Sequence, residues 1–158
     1  MHLKALQQGD AVLAKGPMGQ CVFRQDYRKI GFLIGGIGIT PVISIFEYIV
    51  KKNLKTEAVL LYSNLREDRI PFKKELDAWT RDHSNLRVVY TVVEQEPRDA
   101  GISYGRIDKE FLSKHLPRDP DIHVFIFGPP RMEKDMEDLC LEAGCSREKL
   151  HAEKFAGY

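Results

Sequence analysis

Three glycines within four positions, Gly35, Gly36 and Gly38, stand between an apolar run, Ile30 to Ile34, and Pro41, which opens a second apolar run of helix length. Glycines at this density let the backbone take conformations closed to other residues and approach a ligand with no Cβ between them. A helix starting directly behind such a loop turns free N–H groups and the positive end of its dipole toward an anion. The pattern therefore suits a phosphate-bearing ligand. The dinucleotide fingerprint ends in Gly or Ala and is followed by an acid about 20 residues on. Here the spacing is Gly36-x-Gly38-x-x-Pro41, a partial match, and a glycine cluster is also ordinary punctuation at a turn.

Other chemistries find less support. The five histidines are scattered without H-E-x-x-H spacing, and Cys21, Cys140 and Cys145 lack any CxxC pairing, so no metal and no disulfide framework are assigned. The thiols suit a reducing, cytoplasmic compartment. No G-x-S-x-G serine is present, which sets hydrolase chemistry aside. The 24 basic and 23 acidic residues nearly cancel and form no basic block, which argues against nucleic acid or an anionic membrane as partner. No stretch reaches the ~20 apolar residues of a membrane span, and the opening MHLKALQQGD has no signal-peptide core. A soluble chain with a small-molecule partner is expected, and 158 residues suit one ordinary domain.

The elements that must position the glycine loop follow from periodicity. Within residues 1–27, Gly9-Asp10 and Gly16-Pro17-Met18-Gly19 read as turns beside two short strands, Ala11 to Ala14 and Cys21 to Phe23. From Arg28 the pattern changes to alternating strand and helix. Strands are expected at Ile30 to Ile34, Ala58 to Ser63, Leu86 to Val93, Val124 to Phe127 and Leu150 to Phe155. Helices are expected over Pro41 to Lys52, Pro71 to Asp82, a short one capped by Asp108 and ending at His115, and Pro129 to Ala143 with Gly144 closing it. Glu94 to Gly105 is too polar to assign. Continuous apolar strands separated by helices imply an α/β fold, a five-stranded parallel Rossmann-like sheet with helices on both faces, preceded by a short β segment. Ligands of such sheets bind outside the carboxyl ends of the strands. Three segments meet there: Gly35 to Thr40, Ser63 to Arg69 and Gly128 to Met132.

In this order the residues resemble the NAD(P)H-binding half of ferredoxin reductase-like flavoenzymes. The resemblance rests on Gly35-Gly36-Ile37-Gly38-Ile39-Thr40-Pro41, Leu61-Tyr62-Ser63-Asn64 with Phe72 to Leu76, Gly105-Arg106-Ile107, Phe127-Gly128-Pro129-Pro130-Arg131-Met132, and the ending Glu153 to Tyr158. It covers residues 28–158 as the NAD(P)H-binding domain, and residues 1–27 resemble the closing strands of the family's flavin-binding barrel. The family's flavin motifs, Arg-x-Tyr-Ser/Thr and a Gly-x-x-Ser/Thr loop earlier in the barrel, do not occur here, so the chain resembles a reductase fragment whose barrel lies elsewhere.

The resemblance implies a nicotinamide pocket framed by Gly36, Gly38, Thr40, Gly128, Pro129 and Met132. Gly35, Ile37, Ile39, Pro41, Ser63, Asn64, Arg66, Phe72, Phe127 and Pro130 are the further cofactor-binding candidates. Most relatives place a cysteine where Phe127 stands, and neither Cys140 nor Cys145 is positioned to replace it. Glu153 and Phe155 match the family's terminal acid-x-aromatic element, in which the acid relays protons or holds a partner and the aromatic, or Tyr158, shields a flavin. The plainer reading makes Phe155 an inward strand residue and Glu153 its exposed neighbour. Ser63-Asn64-Leu65-Arg66, followed by Glu67 and Asp68, leaves NADH and NADPH both open. The implied activity is hydride transfer from NAD(P)H to FAD or FMN in the complete enzyme, and onward to an iron–sulfur or haem partner. The alternative is a nucleotide-binding or regulatory module without redox activity.

Overall fold

The computed structural model describes residues 5–13, 16 and 21–154. Its centre is a sheet of six strands: β1 (Lys29–Gly35), β2 (Glu57–Asn64), β3 (Leu86–Val92), β4 (Ile102–Tyr104), β5 (His123–Gly128) and β6 (Leu150–Lys154). Their order across the sheet is β4-β3-β2-β1-β5-β6, and every neighbouring pair is parallel. Four helices connect them: α1 (Ile39–Lys51), α2 (Lys73–Asp82), α3 (Lys109–His115) and α4 (Pro130–Glu142).

Because successive strand residues point to opposite faces, the apolar runs divide into two cores. Ile30, Phe32, Ile34, Leu60, Tyr62, Phe125 and Phe127 pack toward Val42, Phe46 and Ile49 of α1 and Leu76 of α2. Leu33, Val59, Leu61, Val124 and Ile126 pack toward Leu112 of α3 and Met136 and Cys140 of α4. A run without alternation thus belongs to strands covered on both sides, as continuous hydrophobicity predicts. The Asp108 carboxylate accepts a 2.8 Å hydrogen bond from the Phe111 amide at the start of α3, an N-cap contributing about 1 kcal/mol.

Two expectations need correction. The sheet has six strands rather than five, because β4 lies within the polar stretch Glu94 to Gly105. An edge strand of three residues buries little, and only Ile102 gives an apolar signal; Tyr104 is more than half exposed. Pairing Tyr90 with Ile102 and Thr91 with Ser103 holds it, and the Thr91 hydroxyl donates to the Gly105 carbonyl at 2.5 Å.

The second correction concerns the opening segment. Ala11 to Leu13 and Cys21 to Phe23 are irregular, not strands, and no partner strand lies beside them among the described residues; such short pieces do not pair alone. The Gly9-Asp10 turn does form, with Gly9 at φ 100°. The turn at Pro17 to Gly19 falls outside the described residues.

The segment leading into β1 is held by aromatic stacking. The Tyr27 ring lies on His123 with centroids 3.8 Å apart, and His123 Nδ1 meets His151 Nε2 at 3.1 Å across β5 and β6. Burial, then the neighbouring His151 and Lys149 charges, holds the His123 pKa below its ordinary 6.5, while Asp26 and Asp121 pull the other way. Burial holds His151 down as well. Both rings therefore gain protons more readily in the unfolded chain. Their stabilisation is complete above the unfolded value and is lost as pH falls through the folded ones. Melting temperature is expected to drop by a few degrees between about pH 7.5 and pH 5.5. Replacing both histidines by phenylalanine should flatten most of that slope in thermal melts, leaving the part due to His115, whose pKa burial also lowers.

Candidate functional site

The chain leaves β1 in one direction toward β2, β3 and β4, then crosses back to place β5 on the other side of β1. The carboxyl ends of β1 and β5 thus form a switch point, where the two connections diverge and leave a crevice. At this edge Gly35 to Ile37, Ser63 to Leu65 with Arg69 and Pro71, Val93, and Gly128, Pro129 and Met132 line one cleft of about 490 Å³.

The loop owes its shape to several separate contacts. Gly36 stands at φ 50°, in the left-handed region, and begins a 3₁₀ turn, Gly36–Gly38, that leads directly into α1. A Cβ on Gly38 would lie 2.3 Å from the Phe127 carbonyl oxygen, so glycine here is demanded by the backbone of β5 rather than by a ligand. The fully buried Tyr62 donates its hydroxyl to the Gly36 carbonyl at 3.0 Å. Thr40 Oγ1 donates to the Ile37 carbonyl at 2.8 Å. On the far side of the cleft, a Cβ on Gly35 would meet the Met132 sulfur at 2.3 Å, and one on Gly128 would meet it at 3.2 Å. Met132 therefore lies over two bare strand ends.

The second strand supplies the polar floor. Asn64 is 7% exposed, and its Nδ2 is buried with no hydrogen-bond acceptor in bonding geometry. It lies near the Tyr62 hydroxyl, whose pKa burial raises and Asn64 opposes. An unsatisfied buried amide costs about 1–3 kcal/mol, and a polar ligand seated in the cleft would relieve that cost. Helices α1 and α4 both begin at this edge; the first amide of α1, Ile39, is taken up by the carbonyls of the 3₁₀ turn, whereas the start of α4 has first-turn N–H groups with no acceptor within the helix.

The candidates therefore fall into groups. Gly35, Gly36, Ile37, Ser63, Asn64, Gly128, Pro129 and Met132 line the cleft. Gly38, Ile39 and Phe127 are buried beneath it, so their part is to shape the loop and the core. Thr40, Pro41 and Pro130 occupy the helix starts just behind it. Arg66 belongs to a separate depression with Glu96 and Arg98, where its Nε is 3.0 Å from Asp68. Phe72 caps α2 at φ 59°, largely exposed and outside the cleft lining. Glu153 sits beside Phe127 in the β5–β6 register, and its carboxylate faces the Cys21 thiol, which burial and that charge push up to about 12. Phe155 and Tyr158 lie outside the described residues. Sequence reasoning missed Leu65, Pro71 and Val93 as lining and Tyr62 as the loop's anchor. The signal for Tyr62 was a hydroxyl at the end of an otherwise apolar strand.

A parallel sheet with a glycine loop and two helix starts at its switch point defines a nucleotide-binding α/β domain. The sequence matches the oxidoreductase NAD-binding domain family over residues 32–138, and the chain belongs to that family. It is 37% identical over 131 residues to NADH-cytochrome b5 reductase 1 of Dictyostelium discoideum, covering 81% of this chain and 46% of the relative. It is 32% identical over 142 residues to the Mortierella alpina protein of the same name, covering 88% and 47%. The cytochrome b5 reductase domain of Ulva prolifera nitrate reductase superposes with a TM-score of 0.84 at 28% identity, covering 96% of this chain and 63% of that one. The chain thus spans about half the length of these curated relatives.

The two loop glycines are expected to respond differently to alanine. Gly38→Ala should destabilise the fold by about 1–3 kcal/mol, because backbone must move. Gly36→Ala has open space around it and should cost only the left-handed backbone conformation, about 1–2 kcal/mol. Urea denaturation measures both. Adding Tyr62→Phe to each separates them further: the loss of its bond to Gly36 should be non-additive with Gly36→Ala and additive with Gly38→Ala.

Proposed function

We propose that this chain is the NAD(P)H-binding domain of a flavin-dependent reductase and presents the nicotinamide to a flavin carried by another domain or subunit. The observation that carries this reading is the convergence of Gly35 to Ile37, Ser63 to Leu65 and Gly128 to Met132 on one cleft whose floor holds the Asn64 amide without an acceptor.

The residues present fit a dinucleotide. Bound NAD(P)H supplies the hydride that the chain's own side chains cannot. Gly36, with open space around it, leaves no side chain between ligand and backbone, which permits the close approach that hydride transfer needs, while Gly35 and Gly128 make room for the Met132 side chain. Pro129 and Met132 form the opposite wall and shed water from it. Asn64 Nδ2 and the Ser63 hydroxyl offer polar contacts on the floor, while Tyr62 fixes the loop above them. The α4 start offers N–H groups to an anionic part of the ligand. Glu153, paired with Phe127 on the neighbouring strand, is read as the group that accepts or returns a proton or meets a partner, and Phe155 as the aromatic that shields the flavin.

The similarity to cytochrome b5 reductases supports a haem protein as the electron acceptor in the assembled enzyme, with an iron–sulfur protein as the other candidate. The flavin, FAD or FMN, belongs to a barrel domain. Residues 1–27 are read as its closing portion, consistent with Cys21, Phe23 and Tyr27 packing against the α1-side core. The free cysteines suit a cytoplasmic setting.

Titrating the purified chain with NADH and with NADPH, followed by calorimetry, is expected to show saturable binding of at least one in the micromolar to millimolar range. The two curves also read the nucleotide preference. Asn64→Ala should weaken the better ligand by about three- to tenfold with the melting temperature of the free chain preserved or raised. No binding of either nucleotide at millimolar concentration would overturn the assignment.

A further inference from the structure

A second chemical feature lies at the amino-terminal edge of the sheet, away from the nucleotide cleft. Helix α4 ends in a Schellman motif: Gly144 at φ 91°, a Gly144 amide bonded to the Leu141 carbonyl at 3.0 Å, and a Cys145 amide bonded to the Cys140 carbonyl at 2.9 Å. These are the 5→2 and 6→1 bonds of the motif, which brings the side chains at its first and last positions into contact. Those two positions are both cysteine. Both thiols are free, and both belong to the core on the α4 side of the sheet.

The two have opposite surroundings. Cys140 is fully buried in the core beneath α4, whereas Cys145 is partly exposed. Cys145 also lines a cavity of about 460 Å³, together with Lys109, Ser113 and Arg118. The cavity gives a small solute access to one thiol and none to the other. The neighbouring Cys140 draws the Cys145 thiol below its ordinary range, against the effect of burial. Interaction with Cys145, and then burial, raises Cys140. An accessible thiolate beside a protected thiol is the arrangement in which a sulfenic acid is formed at one sulfur and captured by the other.

We propose that Cys145 is a hydroperoxide-reactive thiol, and that Cys140 resolves it into an intramolecular disulfide across the end of α4. In the first step the Cys145 thiolate attacks one oxygen of hydrogen peroxide. An S–O bond forms and the O–O bond breaks, sulfur gives up two electrons, and the other oxygen leaves as hydroxide. In the second step the Cys140 sulfur attacks the Cys145 sulfenic sulfur. The S–S bond forms, the S–OH bond breaks, and the departing hydroxide takes the Cys140 proton to leave as water. With the proton that Cys145 released on ionising taken up by the first hydroxide, the balance is two thiols and one peroxide to one disulfide and two waters. The reaction uses none of the cleft residues and holds whether or not the nucleotide assignment does.

The full chain treated with hydrogen peroxide near pH 7, quenched with N-ethylmaleimide at intervals and digested for mass spectrometry, tests the assignment. The expected product is a Cys140–Cys145 disulfide that dithiothreitol reverses. It should form faster than Cys21 is lost, since Cys145 lines an open cavity and its thiol is lowered while that of Cys21 is raised. The Cys140→Ser variant should accumulate a dimedone-reactive sulfenic acid at Cys145 instead. Cys145 oxidising no faster than Cys21, or oxidising in the unaltered chain to sulfinic acid without joining Cys140, overturns the proposal.

Discussion

The carbonyl oxygen of Phe127 fills the space that any side chain at position 38 would need. That single steric fact ties the loop after β1 to the last residues of β5, and most of the carboxyl edge follows from it. With Gly38 against β5, the chain can turn through Gly36 in the left-handed region and enter α1 immediately. Its apolar face, Val42, Phe46 and Ile49, then falls onto the sheet. Tyr62 secures the turn from the neighbouring strand, and Met132 closes the other side over Gly35 and Gly128. The cleft is what remains when these elements are pulled together as closely as their backbones allow.

Glycine at this edge therefore serves three purposes that sequence cannot tell apart. Gly36 supplies conformation, Gly38 supplies contact with another strand, and Gly35 with Gly128 makes room for the Met132 side chain. In the sequence all four were legible as candidates for ligand approach, because the absence of a Cβ looks the same whatever fills the space. The elements themselves were legible for a firmer reason. Runs such as Ile30 to Ile34 and Val124 to Phe127 are apolar at every position, which only a strand covered on both faces requires, and Asp108, Pro130 and Gly144 mark helix ends through local chemistry that tertiary contacts do not override.

What escaped sequence reasoning was long-range. β4 is an edge strand whose stability comes from the ladder with β3 rather than from its own three residues. The irregular Ala11 to Leu13 has strand-like composition but no neighbour to pair with among the described residues. Arg66 looked available to a ligand until the fold placed Asp68 against it, and Cys21 carried no signal at all, being brought to Glu153 only by the packing of the segment before β1. Each of these depends on partners distant in sequence or on competition for a partner close by.

The 3₁₀ turn from Gly36 to Gly38 also fixes the length of the loop. One residue more or fewer would rotate α1 by about 100° about its axis, carrying Val42, Phe46 and Ile49 off the sheet and exposing polar positions to the core. The strand on the other side cannot absorb the change, since a one-residue slip reverses which side chains face which layer. The phase of a helix and the pleat of a strand therefore meet at this turn and must agree. Substitution can tune the ligand-facing surface of the loop, but its residue count is locked by the architecture, so diversity in what the cleft accepts has to come from the segments after β2 and β5.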